Sequence, residues 1–274
     1  MTTRVRPRKD LGQHWLVDSR VLARISKAAD IQPEDTVIEV GPGKGALTRF
    51  LATRARNLIL IEVDPVLAAG LREKYAGAEN VHLVEGDVLD LSITDILNQG
   101  GGGLPYVVAG NLPYFIGSAI VRKFLTATMP PRWLVVTLQA EVAERMAAKP
   151  GKMSYLSVEM QLLAETRLLF RIPPSAFRPA PKVRSAVLRL DARDSPDVEV
   201  DDREMFLELA RAGFAAPRKQ LRNSLAVGLK MDGPAAEALI TSAAIDPSTR
   251  PQTLNLDDWR RLYFAYSRSI ARSK

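Results

Sequence analysis

Short apolar runs alternate with longer amphipathic ones through the first half of the chain. Thr36–Val40 (TVIEV), Asn57–Val63 (NLILIEV), Val81–Asp87 (VHLVEGD), Tyr106–Gly110 (YVVAG) and Trp133–Gln139 (WLVVTLQ) are short and β-branched. Near-continuous apolar character suits strands buried on both faces. Between the first two lies ALTRFLATRA, and between the second and third VLAAGLREKYA, each with apolar residues at helical spacing. Strand and helix alternating in this way predict an α/β fold, a parallel sheet with helices on both faces. Two further strand-like segments, TRLLFRI and SAVLRLD, flank PPSAFRPAPKVR and are expected to add an antiparallel pair at the sheet edge. Gly100–Gly103 reads as a flexible loop, and the acidic, aperiodic Ala192–Asp202 as a linker. Beyond it only helical patterns occur. The expected organisation is a first domain over 1–192, carrying a basic N-terminal arm, and a small helical domain over 202–274.

Composition narrows the chemistry. Cysteine is absent from the 274 residues, which removes disulfides, thiolate metal sites and cysteine nucleophiles, and fits a reducing, cytoplasmic setting. With only His14 and His82 available, no metal centre is expected. The N-terminus MTTRVRPRKD is basic without an apolar core, so it does not read as a secretory signal, and no apolar stretch is long enough to span a membrane. A net charge of +7 points to a polyanionic partner such as nucleic acid.

The candidate chemistry sits where the strands end. EVGPGKGALT (Glu39–Thr48) is glycine-rich at a strand-to-helix junction, so its backbone at Gly41 and Gly43 can approach a ligand closely. Glu62 ends the second strand, where an acid can accept from two ribose hydroxyls; Asp87 ends the third and can meet an adenine amino group. Either acid alone would read as an ordinary strand-end residue. Together they suit a dinucleotide or S-adenosylmethionine. The loop is G-x-G-x-G rather than G-x-G-x-x-G, which makes a nicotinamide site the weaker choice.

The tetrapeptide Asn111-Leu112-Pro113-Tyr114 decides between them. Asn111 offers an amide oxygen and Leu112 a backbone carbonyl, each able to accept from an exocyclic amine. Pro113 holds Leu112 extended, and Tyr114 offers a ring on which a base can stack. An amine fixed in this way would take a methyl group by positioning and electrostatics, without a strong base.

These residues resemble a known family, the ribosomal RNA adenine dimethyltransferases, and in particular their small-subunit type. LGQHWLVD, EVGPGKGALT, IEVDP, EGDVL, GNLPY, FRPAPKVRSAVLRL and RKQLRNSL occur in family order over most of the chain. The resemblance implies a Rossmann-like S-adenosylmethionine-dependent methyltransferase domain with a small C-terminal helical domain. It also implies methyl transfer to N6 of adenosines near the 3′ end of small-subunit (16S) rRNA, and the small ribosomal subunit as partner. Carried over by position, Gly41, Gly43, Glu62, Asp87, His14, Leu16 and Asn111 resemble cofactor contacts. Asn111–Tyr114 resemble the target-adenine motif. Phe177 resembles a second aromatic stacking on the extruded base, with a core aromatic as the alternative. The family's GQNFL reads GQHWL here, so His14 stands where an asparagine helps hold the cofactor and Trp15 where the family has phenylalanine.

For RNA, Arg4, Arg6, Arg8 and Lys9 in the arm are candidate phosphate contacts, as are Arg218, Lys219 and Arg222 in RKQLRNSL. Arg218 and Arg222 are expected on one helical face of a helix starting at Pro217. Three competing readings remain: a large-subunit rRNA adenine methyltransferase conferring macrolide resistance, a ribosome-assembly factor acting through binding, and a nicotinamide oxidoreductase. The protein is expected to be a monomer with no membrane association.

Overall fold

The computed structural model describes residues 13–193 and 200–272. The chain opens with β1 (Trp15–Leu16), α1 (Ser19–Ala28), β2 (Thr36–Val40), α2 (Thr48–Leu51), β3 (Asn57–Glu62), α3 (Pro65–Lys74) and β4 (Val81–Glu85). It continues through α4 (Ile93–Gln99), β5 (Tyr106–Asn111), α5 (Gly117–Leu125), β6 (Trp133–Gln139), α6 (Ala140–Met146), α7 (Tyr155–Leu163) and β7 (Ala164–Ile172). Then come β8 (Phe177–Arg178), β9 (Ser185–Ala192), α8 (Arg203–Gly213), α9 (Leu221–Leu229), α10 (Gly233–Ser242) and α11 (Leu256–Arg272).

Seven strands form one sheet in the order β4-β3-β2-β5-β6-β9-β7. The first five run parallel and β9 runs antiparallel to β6. Every residue of β2 and β3 is buried, as their unbroken apolar runs require. The chain leaves β2 towards β3 and β4 on one side and returns to β5 and β6 on the other. The crevice beyond the carboxyl ends of β2 and β5 is therefore the switch point where such sheets take ligands.

Local signals place the elements around that crevice. Asp64 caps α3, accepting from the amides of Val66 and Leu67, with Pro65 in the first turn. IEVDP thus encodes a strand end, a cap and a helix start in five residues. The helix expected over ALTRFLATRA is shorter, Thr48–Leu51 only. Its cap position is Leu47, which offers no side-chain acceptor, and the turns of the glycine loop occupy the residues before it. The Gly100–Gly103 run is pinned rather than loose at its start, where Asn57 Nδ2 donates to the Gly100 carbonyl at 3.0 Å.

The chain divides into two compact units, and the division differs from the expected 1–192 and 202–274. Residues 144–166 belong with the helical unit instead of the sheet unit. The cause is apolar packing: Met153, Val158 and Leu162 share a core with Phe206, Leu225, Trp259 and Leu262. The sheet unit buries its own core on Ile25, Val37, Leu51, Leu58, Val107 and Val187.

Candidate active site

Gly41, Gly43, Glu62, Asp87 and the segment Asn111–Tyr114 line one cavity of about 320 Å³ at the carboxyl ends of β2–β5. Residues far apart in sequence are brought together here by parallel register: Val40 pairs with Ile61 and with Gly110, so the three segments that follow leave the sheet side by side. Gly110 makes this approach feasible. A Cβ there would lie 2.6 Å from the Val40 carbonyl oxygen.

Asn111 is held at one end and open at the other. Its Nδ2 donates to the His14 carbonyl at 3.0 Å, while its buried Oδ1 has no partner. Because the amide donor is already anchored, the acceptor is the end left for a ligand. An unpaired buried carbonyl of this kind costs about 1–3 kcal/mol. Such a cost is typical of a group kept ready for something that arrives later. Leu112 is buried, its amide donating to the Thr137 carbonyl at 3.2 Å. The Tyr114 hydroxyl is hydrogen-bonded to Ser185 Oγ, and burial pushes the phenol pKa upward.

Glu62 ties the glycine loop to the next helix. Its Oε2 accepts from the Gly43 amide at 3.0 Å and its Oε1 from the Asp64 amide at 3.1 Å. Burial raises the pKa of this carboxyl, and the two amides pull it back. Each oxygen keeps a lone pair for a further donor. Asp87 Oδ1 accepts from the Leu89 amide at 2.8 Å, and the side chain borders the same cavity as Glu62.

The N-terminal segment closes over the loop. β1 pairs antiparallel with β8, setting Trp15 opposite Arg178 and Leu16 opposite Phe177. The Trp15 ring lies against Gly43, where a Cβ would come within 3.2 Å of it, and Gly43 has a φ of +58°. Lys44 Nζ sits 3.9 Å from the Trp15 ring centroid. His14 lines the cavity, and Leu16 is buried in the core. A second cavity of about 370 Å³ shares Trp15, Gly41 and Asn111 with the first and reaches Glu39. Burial lifts the Glu39 carboxyl to about 8.

One expected site residue is corrected. Phe177 does not line the cavity; it is fully buried in the sheet unit's core with Leu16, Ile172 and Val187. The β1–β8 register turns its side chain inward, so in this structure it is a core aromatic. Among the cavity residues that were not anticipated are Gln13, Trp15 and Phe115. Phe115 directly follows the tetrapeptide and is 62% exposed, the only aromatic among the exposed large apolar residues described.

The family model for ribosomal RNA adenine dimethylase matches residues 4–266. The chain belongs to that family. Curated relatives include "Ribosomal RNA small subunit methyltransferase A" of Dehalococcoides mccartyi, 41% identical, covering 96% of this chain and 89% of the relative. The protein of the same name from Syntrophotalea carbinolica is 44% identical over 94% of this chain and 96% of its own. Among solved structures, the 23S rRNA methyltransferase ErmE superposes with a TM-score of 0.74 at 31% identity, covering 92% of this chain and 99% of its own. A dimethyladenosine transferase from Plasmodium falciparum shares the fold, with a TM-score of 0.79 at 23% identity, covering 93% of this chain and 98% of its own. As a family member the chain is an S-adenosylmethionine-dependent rRNA adenine methyltransferase with a Rossmann-like sheet unit. The cradle fits that donor: a glycine loop, two strand-end acids and a buried unpaired acceptor border one cavity.

The basic residues are distributed differently from expectation. Arg4, Arg6, Arg8 and Lys9 lie outside the described residues. Arg218 and Lys219 are exposed, but they sit in the turn before α9, not on it. The helix starts at Leu221 behind an extended Gln220 cap. The Leu221 amide donates to the Thr249 carbonyl and Ser224 Oγ to the Ala216 carbonyl, which fixes the turn and delays the helix. Arg218 and Arg222 therefore do not share a helical face. Arg222 pairs with Glu237 at 3.1 Å. Among the described residues no helix is long and apolar enough to cross a membrane, and no cluster could hold a metal ion.

Proposed function

We propose that this protein transfers methyl groups from S-adenosylmethionine to N6 of two adjacent adenosines near the 3′ end of 16S rRNA, as a step in small-subunit biogenesis. The product is N6,N6-dimethyladenosine. We read it as a cytoplasmic monomer acting on the small subunit. The substrate assignment is supported by relatives named for the small-subunit rRNA that are about 40% identical over most of the chain.

The observation that carries the chemistry is Asn111 Oδ1, buried, unpaired and bordering a cavity shared with Glu62 and Asp87. When bound, S-adenosylmethionine supplies an activated methyl group. Gly41, Gly43, Glu62 and Asp87 would hold it by backbone, ribose and adenine contacts. On the acceptor side Asn111 Oδ1 and the Leu112 carbonyl would accept hydrogen bonds from the N6 amine. That draws the amine out of conjugation and points its lone pair at the donor. Each transfer would break the donor's sulfur–methyl bond, leave S-adenosylhomocysteine and release one N6 proton to water. Tyr114, fixed through Ser185, would support the base once it has left its RNA stack. Orientation supplies the rest of the rate.

The test is a paired reaction. Purified protein is incubated with labelled donor and unmethylated small subunits, or with large subunits. Label in small-subunit rRNA alone is expected. Label confined to large-subunit rRNA would move the protein to the other branch of the family.

A further inference from the structure

Helix α1 carries an exposed row of positive charge. Arg20, Arg24 and Lys27 stand at i, i+4 and i+7, on one face and spread over about 10 Å of helix. The other face buries Leu22 and Ile25 in the sheet unit's core. Among the described residues none of the three side chains has a carboxylate partner. The acids flanking the helix are already engaged. Asp18 caps its start through the Arg20 and Val21 amides, and Asp30 pairs with Arg189 at 3.7 Å. Elsewhere the fold does pair exposed arginines, as at Arg72–Glu85 and Arg261–Asp258. Arg20 and Arg24, four apart, weaken the helix by repulsion, and no described carboxylate offsets it.

The row is ordered as well as charged. The Arg24 guanidinium lies 3.8 Å from the centroid of Phe170 on β7, which holds its plane and leaves its N–H edge without a hydrogen bond among the described residues. Arg49 on α2 donates to Ser19 Oγ at 3.3 Å and sets a fourth cation beside the helix start. That start is near the crevice, since Leu22 borders the second cavity with Gly41 and Asn111. The far end lies at the opposite edge of the sheet, where the Ala29 carbonyl accepts from Trp133 Nε1 at the first residue of β6.

We propose that this face of α1 is a docking surface for the phosphate backbone of rRNA that leads away from the target nucleotide. The inference goes beyond the reaction proposed above and rests only on an rRNA substrate. Its occupant follows from what the face offers. No large apolar residue of α1 is exposed, so the helix has neither the apolar side that a membrane surface takes nor the anchor that a protein interface is built on. Unpaired cations at intervals along a rigid element, one of them a guanidinium held flat for two-pronged contact, suit phosphates. Because the row runs from the crevice to the far edge of the sheet, it holds a strand along the side of the sheet unit while one nucleotide is in the site. It touches no reacting atom, and its effect is on binding and register.

The experiment compares the parent with Arg20→Gln/Arg24→Gln/Lys27→Gln for binding to unmethylated small subunits across salt concentrations. Glutamine keeps the helix propensity, and calorimetry with S-adenosylhomocysteine should give parental affinity in both proteins. The log–log salt slope should be shallower in the variant by about 2, at about 0.7 per phosphate released. Raising salt from about 50 to about 200 mM should then weaken the parent roughly 20-fold more than the variant. The single-turnover rate on saturating subunits should stay parental. A second measurement removes no charge: the chain has no cysteine, so Ala23→Cys, exposed within the row, carries one azidophenacyl group. Photolysis on the bound subunit should crosslink it to rRNA. A parental salt slope in the triple variant would overturn the proposal. So would crosslinks from position 23 to ribosomal protein alone, or none at all. Loss of binding to phosphatidylglycerol vesicles with subunit binding unchanged would give the row to a membrane instead. A parent that crosslinks to rRNA through position 23 yet methylates neither subunit would remove the proposed reaction and leave this surface standing.

Discussion

Asn111→Ala separates a functional amide from a structural one. In the free protein the side chain makes one hydrogen bond, to the His14 carbonyl, and leaves Oδ1 buried without a partner. A neutral hydrogen bond contributes about 0.5–1.5 kcal/mol net, whereas a buried unpaired acceptor costs about 1–3 kcal/mol. Alanine removes both, so the two effects nearly offset. The midpoints of the two ranges leave a net change of about 1 kcal/mol towards a more stable protein. Activity should move the other way. Losing one polar group aimed at the reacting centre typically costs about 10²–10³ in kcat. Urea denaturation gives the first number and single-turnover methylation of unmethylated small subunits gives the second. Calorimetry with the donor should show a far smaller change in affinity than in kcat. An Asn111→Ala protein that unfolds several kcal/mol more easily would show the amide to be structural. One with parental kcat would show that Oδ1 does not meet the amine.

Other consequences are equally checkable. Phe177→Ala should cost about 3–5 kcal/mol in denaturant unfolding, because it empties a fully buried core position; unchanged stability with lost activity would restore its stacking role. Glu39 is held at about 8 by burial against an ordinary 4.5, so the folded protein keeps a proton that the unfolded chain gives up. The Glu39 contribution is fully present below pH 4.5 and is lost as pH rises through about 8. Stability measured from pH 5 to 9 should therefore fall in the parent relative to Glu39→Gln, by up to a few kcal/mol, and parallel curves would contradict the burial. Replacing both Arg218 and Lys219 with alanine should weaken RNA binding and make its log–log dependence on salt shallower, by about 0.7 for each phosphate no longer neutralised. An unchanged slope would show that the turn before α9 does not touch phosphate.

The parts of the fold legible in sequence are those dictated by local chemistry. The unbroken apolar runs of β2 and β3 form strands buried along their whole length, and IEVDP carries its own cap and helix start. The candidate site was legible for a related reason: parallel register forces Gly41, Glu62, Asp87 and Asn111 to one edge once the strands are known. What was not legible depends on long-range pairing. Nothing near Phe177 announces that β8 will pair with β1 and turn the ring inward. Nothing in RKQLRNSL shows that the Thr249 carbonyl will take the Leu221 amide and delay the helix. Residues 144–166 look like the end of the first domain by position, yet Val158 and Leu162 find their apolar partners in the helical unit. Glu39 did carry a signal, a lone acid inside a buried strand, but its consequence for pH needed the measure of its burial.

The central claim is best tested by mapping the product. Small subunits lacking the modification would be incubated with the protein and labelled S-adenosylmethionine, and their rRNA digested to nucleosides and fragments for mass spectrometry. The expected product is N6,N6-dimethyladenosine at two adjacent adenosines near the 3′ end of 16S rRNA, formed by Asn111→Ala about 10²–10³ times more slowly than by the parent. Methyl groups on another atom or another stretch of rRNA, or dimethylation by Asn111→Ala at the parental rate, would contradict it.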